Sequence, residues 1–189
     1  MEVHERERLE QSIRRLCEQG DLAGARPLFE RALAIRETAL GPEHPDTAQS
    51  VNNLGFLLQV QGDFAGARPL YERALAISEK ALGPEHPNTA QILDNLARVR
   101  LLQGDLVGAR PLYERALAIR ETALGREHPD TAQSVNNFAF FLQAQGDLAG
   151  ARSLYERALA IFEKAQGAEH PNTKTVRANL ALLNGGATS

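Results

Sequence analysis

Apolar residues recur along this chain at helical spacing, in blocks punctuated by glycine and proline. Val51, Leu54, Leu57 and Leu58 share one stripe of a first helix. Leu70, Ala74, Leu75 and Ile77 share a stripe of a second, with Ala67 a turn earlier. The first helix is predicted from "DTAQ" at Asp46 to near Gly62, with Asp46 and Gln49 as a capping box. The same device recurs at Asn88 with Gln91 and at Asp130 with Gln133. The second helix follows Asp63, runs to about Leu82 and stops at Gly83. Pro69 falls in its first turns, where proline is tolerated. Pro84 to Pro87 make a stiff corner, because proline fixes φ and restrains the residue before it.

The block repeats. "GDLAGARPLFERALAI" begins at Gly20, and close copies begin at Gly62, Gly104 and Gly146, a step of 42 residues each time. Neither helix of a pair can bury its stripe alone, so stacked pairs must share a continuous core, as in a solenoid. The expected organisation is one array over 1–189: repeat 1 over 1–41 with a polar capping helix, then 42–83, 84–125, 126–167, and a half-repeat with tail over 168–189. A longer period lies inside the first. Repeats one and three share "RETALG", and the helix "DTAQSVNN" occurs at Asp46 and Asp130, 84 residues apart. The array therefore reads as a doubled two-repeat block.

Its ends depart from the pattern. The first helix, roughly Val3 to Gln19, keeps Leu9, Ile13 and Leu16 but has Ser12 and Arg15 where later repeats have Leu54 and Leu57. It reads as a polar cap. The last helix, Thr173 to Asn184, lacks a following partner and carries Val176, Leu180, Leu182 and Leu183. Those four side chains are expected to leave an apolar surface able to support a weak homodimer.

Composition narrows the function. Charged residues are 24% and hydrophobic residues 43% of 189, a folding composition. The net charge of −3 disfavours nucleic acid or an anionic membrane as a partner. No run of about 18 apolar residues occurs. The single cysteine, Cys17, excludes an internal disulfide and suits a reducing compartment, and the charged "MEVHERERLEQ" is unlike a signal peptide. The expected location is the cytoplasm.

Candidate chemistry centres on Glu-His-Pro, found at Glu43, Glu85, Glu127 and Glu169. Equivalent corners place these histidines a repeat apart, on the order of 10 Å. Metal ligands must converge to about 2 Å from one point. No nucleophile accompanies them. The histidines are expected to dock on a neighbouring loop or helix end, and the glutamates to help the next helix start. "GDLAG" and "GDFAG" lack the strand and Lys-Ser/Thr of a phosphate loop and read as helix junctions. Phe29, Tyr71, Tyr113 and Tyr155 sit at helical spacing as packing residues. No cofactor, metal site or catalytic residue is expected, and the chain reads as non-enzymatic.

"Val51-x2-Leu54-Gly55-x2-Leu58" followed by "Ala67-x3-Tyr71-x2-Ala74" resembles the tetratricopeptide repeat, with Val in the usual Trp place. The longer second helix, the "LGxEHPxTA" corner and the "NNLA"-like first helix are similar to the repeats of kinesin light chain, and to arrays in large bacterial signalling proteins. The resemblance implies a right-handed all-α solenoid of nine helices, with the first helices of the pairs on the concave face. It places function on Gln49, Asn52, Asn53, Phe56, Gln59 and Val60 and their equivalents, among them Asp94, Asn95, Arg98, Leu101, Asn136, Asn137, Phe140 and Gln143. Asn53, Asn95, Asn137 and Asn179 recur at a 42-residue step. An amide ladder suits the backbone of an extended peptide. It equally suits bonds to a neighbouring helix. Phe56 and Phe140 alternate with Arg98 and Arg14, with Asp94 nearby, which suits an acidic residue between apolar anchors. The expected peptide site is Asn52, Asn53, Phe56, Asp94, Asn95, Arg98, Asn136, Asn137, Phe140 and Asn179. The competing reading is a structural, sensor or self-assembling segment without a peptide ligand.

Overall fold

The computed structural model describes residues 2–185, with side chains from 8 to 183. It divides into two compact units, Met1–Pro84 and Glu85–Ser189. The first holds α1 (Glu2–Glu18), α2 (Leu22–Leu40), α3 (Pro45–Val60) and α4 (Phe64–Ala81). The second holds α5 (Pro87–Leu102), α6 (Leu106–Leu124), α7 (Pro129–Gln145), α8 (Leu148–Gln166) and α9 (Pro171–Gly185). Among the described residues every element is an α-helix, and the nine follow the predicted pairing. Within each unit every helix packs on the next in sequence.

The corners begin the first helix of each pair differently from the predicted capping box. Helices α3, α5, α7 and α9 start at the proline, at Pro45, Pro87, Pro129 and Pro171. In the first three the preceding histidine is the N-cap, in extended backbone. Nδ1 of His44, His86 and His128 accepts the N–H two residues on at 3.1 Å, and that of His170 does so at 3.2 Å. A ring nitrogen thus fills the place usually held by a Ser or Asp oxygen. Thr47, Thr131 and Thr173 donate across the corner to the carbonyls of Gly41, Gly125 and Gly167, each at 2.8 Å. Gln49 and Gln133 turn instead along the helix to Asn53 and Asn137. Of the corner glutamates, Glu169 pairs with Lys174 in the first turn of α9 at 2.9 Å, while two others reach the second helix of their pair. Glu43 takes Lys80 at 2.5 Å and Glu127 takes Lys164 at 3.5 Å.

The second helices start on aspartate. Oδ1 of Asp21, Asp63, Asp105 and Asp147 accepts the N–H of Gly24, Gly66, Gly108 and Gly150 at 2.8–2.9 Å. A Cβ on Gly66 would stand 2.5 Å from Oδ2 of Asp63, so the cap itself demands glycine. Gly62, just before the cap, sits at φ +81, the left-handed region. The "GDxxG" motif is a self-contained helix start. Pro27, Pro69 and Pro111 lie deeper than predicted, at the sixth helical residue. There the absent N–H leaves the carbonyls of Ala23, Ala65 and Val107 without a helical donor.

The aromatic residues of the second helices fill the cores. Tyr71, Tyr113 and Tyr155 are at most 1% exposed. A Cβ on Gly55 would lie 3.1 Å from the Tyr71 ring, so that glycine sets the helix approach in the first unit. In the second, Tyr113 packs on Phe138 and Phe141, with centroids 6.4 and 5.5 Å away. Val176 and Leu183 of α9 belong to the same core, and Leu180 packs against it. Of the four residues expected to form a dimer surface, only Leu182 is well exposed, at 71%. The physical reason is that α8 alone covers the α9 stripe.

Candidate binding surfaces

Each unit carries a cavity on its own helices. In the first, α1, α2 and α3 enclose about 520 Å³. Its walls are mostly apolar, from Ile13, Phe29, Ala32, Ile35 and Phe56, with Asn53 and Arg14 at hand. Phe56 is 52% exposed. Asn53 has its Oδ1 occupied by Gln49 at 2.8 Å.

In the second unit, Arg98, Tyr113, Asn136, Asn137, Phe140, Thr175 and Asn179 line a cavity of about 160 Å³. The Arg98 guanidinium lies over the Phe140 ring at 5.7 Å, a cation–π contact. The expected positive centre and one of its apolar neighbours are therefore one stacked pair. Oδ1 of Asn137 takes Gln133 at 3.0 Å, and Asn179 donates to Asn136 at 3.3 Å. The amide ladder is thus partly engaged with the protein itself.

Each unit also carries a charged set drawn from three helices, which in the first unit forms part of the cavity wall. In the first unit Arg36 reaches Glu10 at 3.2 Å and Ser50 at 2.6 Å. In the second Arg120 reaches Asp94 at 3.1 Å, Ser134 at 2.9 Å and the Asp130 carbonyl at 2.8 Å. Ser134 donates to the same Asp94 oxygen at 2.7 Å, while Asp94 Oδ1 is buried without a hydrogen bond. Burial pushes the Asp94 carboxyl up to about 6, against the opposing pull of Arg120, Ser134 and Asn137. One repeat later in the same unit the corresponding residues are Asn136, Phe162 and Val176, an almost apolar layer. Charged and apolar layers alternate there.

The predicted site residues accordingly divide. Phe56, Arg98 and Phe140 are exposed, and Asn53, Asn95, Asn137 and Asn179 are half-buried. Asn52 and Asp94 are 2% and 3% exposed and face the interior, contrary to their expected open placement, while Asn136, 8% exposed, lines the second cavity. Gln59 is buried too, where it accepts the Tyr71 hydroxyl at 3.0 Å, and Gln143 accepts that of Tyr155 at 2.9 Å. Leu101, at the equivalent place in the third repeat, offers Tyr113 no acceptor. Sequence reading missed Arg36, Arg120 and Ser134. Their signal was the 84-residue period shared by "RETALG" and "DTAQS".

Among the described residues no group of three His, Cys, Asp or Glu is placed to hold a metal ion. No described helix is long and apolar enough to cross a membrane.

A tetratricopeptide repeat family model matches residues 46–122 and 130–187, and a second matches 14–46. Among solved structures, BtubC (BKLC) from P. vanneervenii is 26% identical over 96% of this chain and 72% of its own, with TM-score 0.79. A Podospora anserina putative kinesin light chain with nearly identical TPR-like repeats is 31% identical over 95% of this chain and 87% of its own, with TM-score 0.74. A variant of that protein matches similarly, at 30% identity and TM-score 0.75, covering 95% and 86% of the two chains. No curated protein matches the sequence.

Proposed function

Since the chain belongs to the tetratricopeptide repeat family, with kinesin light chain-like relatives, we propose that it is a non-enzymatic scaffold that binds a protein partner through an extended peptide segment. The segment lies on the open faces of the first helices of the pairs. One observation carries this reading. The cavity of each unit is lined by the same two motif rows, Asn53 with Phe56 in one and Asn137 with Phe140 in the other. Each unit thus offers an amide to the peptide backbone and an aromatic wall to a side chain. Asn52 and Asp94 act as supports beneath this face, and Asn136 belongs to the wall of the second cavity. A cytoplasmic site of action fits the single cysteine.

Selection of a random extended-peptide library on the full chain, followed by calorimetry, tests the proposal. Selected peptides should lose roughly fivefold or more in affinity on Asn137→Ala or Phe56→Ala, the loss of about one buried contact. Arg98→Glu should reverse any preference for acidic peptides. A library that yields no binder, or binders indifferent to all three changes with helicity intact, refutes it.

A further inference from the structure

The small cavity of the second unit contains a hydrogen-bond donor that the protein leaves unused. Tyr71 and Tyr155 donate their hydroxyls to Gln59 and Gln143, twelve residues earlier in each case. For Tyr113 that place holds Leu101. Tyr113 is 1% exposed, lines the cavity and has no hydrogen-bond partner among the described residues. The hydroxyl opens on the cavity and is available there to a bound group. Burial, together with nearby Asp94, holds the hydroxyl protonated, and Arg98 lies near enough to oppose them. The O–H is therefore a donor at any physiological pH.

The rest of the wall has the same polarity. Asn137 has its oxygen taken by Gln133, and its N–H₂ group, which also pulls on Asp94, carries a second N–H. Asn136 likewise has its oxygen taken, by Asn179. Arg98 supplies a cation at the rim. Against these donors stand two acceptors, the Asn179 amide oxygen and the Thr175 hydroxyl oxygen. The cavity of about 160 Å³ has room for a group of on the order of five water volumes, the size of a short planar side chain or a peptide unit.

We infer that Tyr113, freed by Leu101, is the specificity-determining donor of this cavity, and that the cavity seats an sp² oxygen of the bound segment, a carboxylate or an amide carbonyl. The inference rests on the peptide-binding reading and names the group that reading leaves open. It also sets the third repeat apart from its neighbours. Where the glutamine is present, the tyrosine is satisfied internally and contributes only packing.

The test uses the full ¹⁵N-labelled chain with two probes, sodium acetate and N-methylacetamide, at ionic strength held constant with sodium chloride. Saturable shifts of the Asn137 side-chain amide and of the Arg98 Nε–H are expected with at least one probe. Acetate alone acting assigns the group to a carboxylate, and N-methylacetamide acting assigns it to a main-chain carbonyl. Tyr113→Phe, which removes only the hydroxyl, and Leu101→Gln, which supplies the internal acceptor, should each weaken that probe at least about fivefold, one hydrogen bond's worth. Absence of shifts with both probes overturns the inference, as does equal probe affinity in both variants. Library-selected peptides that bind Leu101→Gln as tightly as the native chain would remove Tyr113 while leaving the peptide face standing.

Discussion

The charged layer of the second unit permits a quantitative test. Replacing Arg120 by Phe, the residue its counterpart Phe162 already is, removes the contacts to Asp94, Ser134 and the Asp130 carbonyl. Asp94, 3% exposed, is left with the Ser134 hydroxyl and the pull of the Asn137 amide. Breaking a buried ion pair from one side typically costs about 3–5 kcal/mol. The carboxyl already titrates near 6 against 3.8 in the unfolded chain, through burial. The sign follows directly. Between those values the folded chain keeps a proton that the unfolded chain has lost, so Asp94's contribution is most favourable below 3.8 and is lost as pH rises to about 6. The difference amounts to about 3 kcal/mol, at 1.36 kcal/mol per unit. The Arg120→Phe variant should therefore be strongly destabilised at pH 7 and much less so at pH 5, where a neutral carboxyl needs no counter-charge. The triple change Asp94→Asn, Arg120→Phe, Ser134→Val reproduces the layer of Asn136, Phe162 and Val176. It should return to within about 1 kcal/mol of the native chain at pH 7, since a packed apolar set commonly replaces a buried pair without loss. Repeat arrays unfold locally, so hydrogen exchange of the α5–α7 amides, beside urea melts followed by circular dichroism, is the suitable readout. A single variant whose penalty is the same at both pH values, or a triple variant as unstable as the single, would refute the account.

Other expectations are local. His86→Ala should cost about 1 kcal/mol, the usual cost of a lost N-cap, and calorimetry should find no stoichiometric zinc binding to the native chain; zinc uptake lost in the variant would show a metal role instead. Gly66→Ala should cost as much as Asp63→Ala, and the double change no more than either, because both destroy one cap; additive losses in urea melts would contradict this. Leu183→Ser should raise exchange throughout α9 at a cost of about 2–4 kcal/mol while leaving sedimentation unchanged; a dimer dissociated by the change would restore the tail as an interface.

The helices and their pairing were legible because period, glycine and proline all report on backbone geometry. The first helices begin at the proline, one residue before the expected start at Asp46 and two before the expected start at Thr173. Histidine is an uncommon cap, and Asp46 with Gln49 imitates a common one. The binding face was legible only in part for a related reason. Asn52 and Asn53 are both polar, and adjacent positions lie roughly 100° apart around a helix. One faces the interior and the other the cavity, and nothing in the residue type says which. The Arg120–Asp94–Ser134 set was hidden because its members lie 14 to 40 residues apart. Only the 84-residue period hinted that they belong together.

The two kinds of polar device differ in how they survive copying. A corner is closed by His44, Thr47 and Gly41, all within seven residues, so any duplicated 42-residue segment carries a working corner with it. The charged layer is not portable in that way. Excising residues 46–87 would follow the Arg36 helix with the one bearing Ile92, and the arginine would lose its hydroxyl. Excising 46–129 would bring in Ser134 and restore it. Loss of two repeats thus preserves the arginine–serine contact, where loss of one does not.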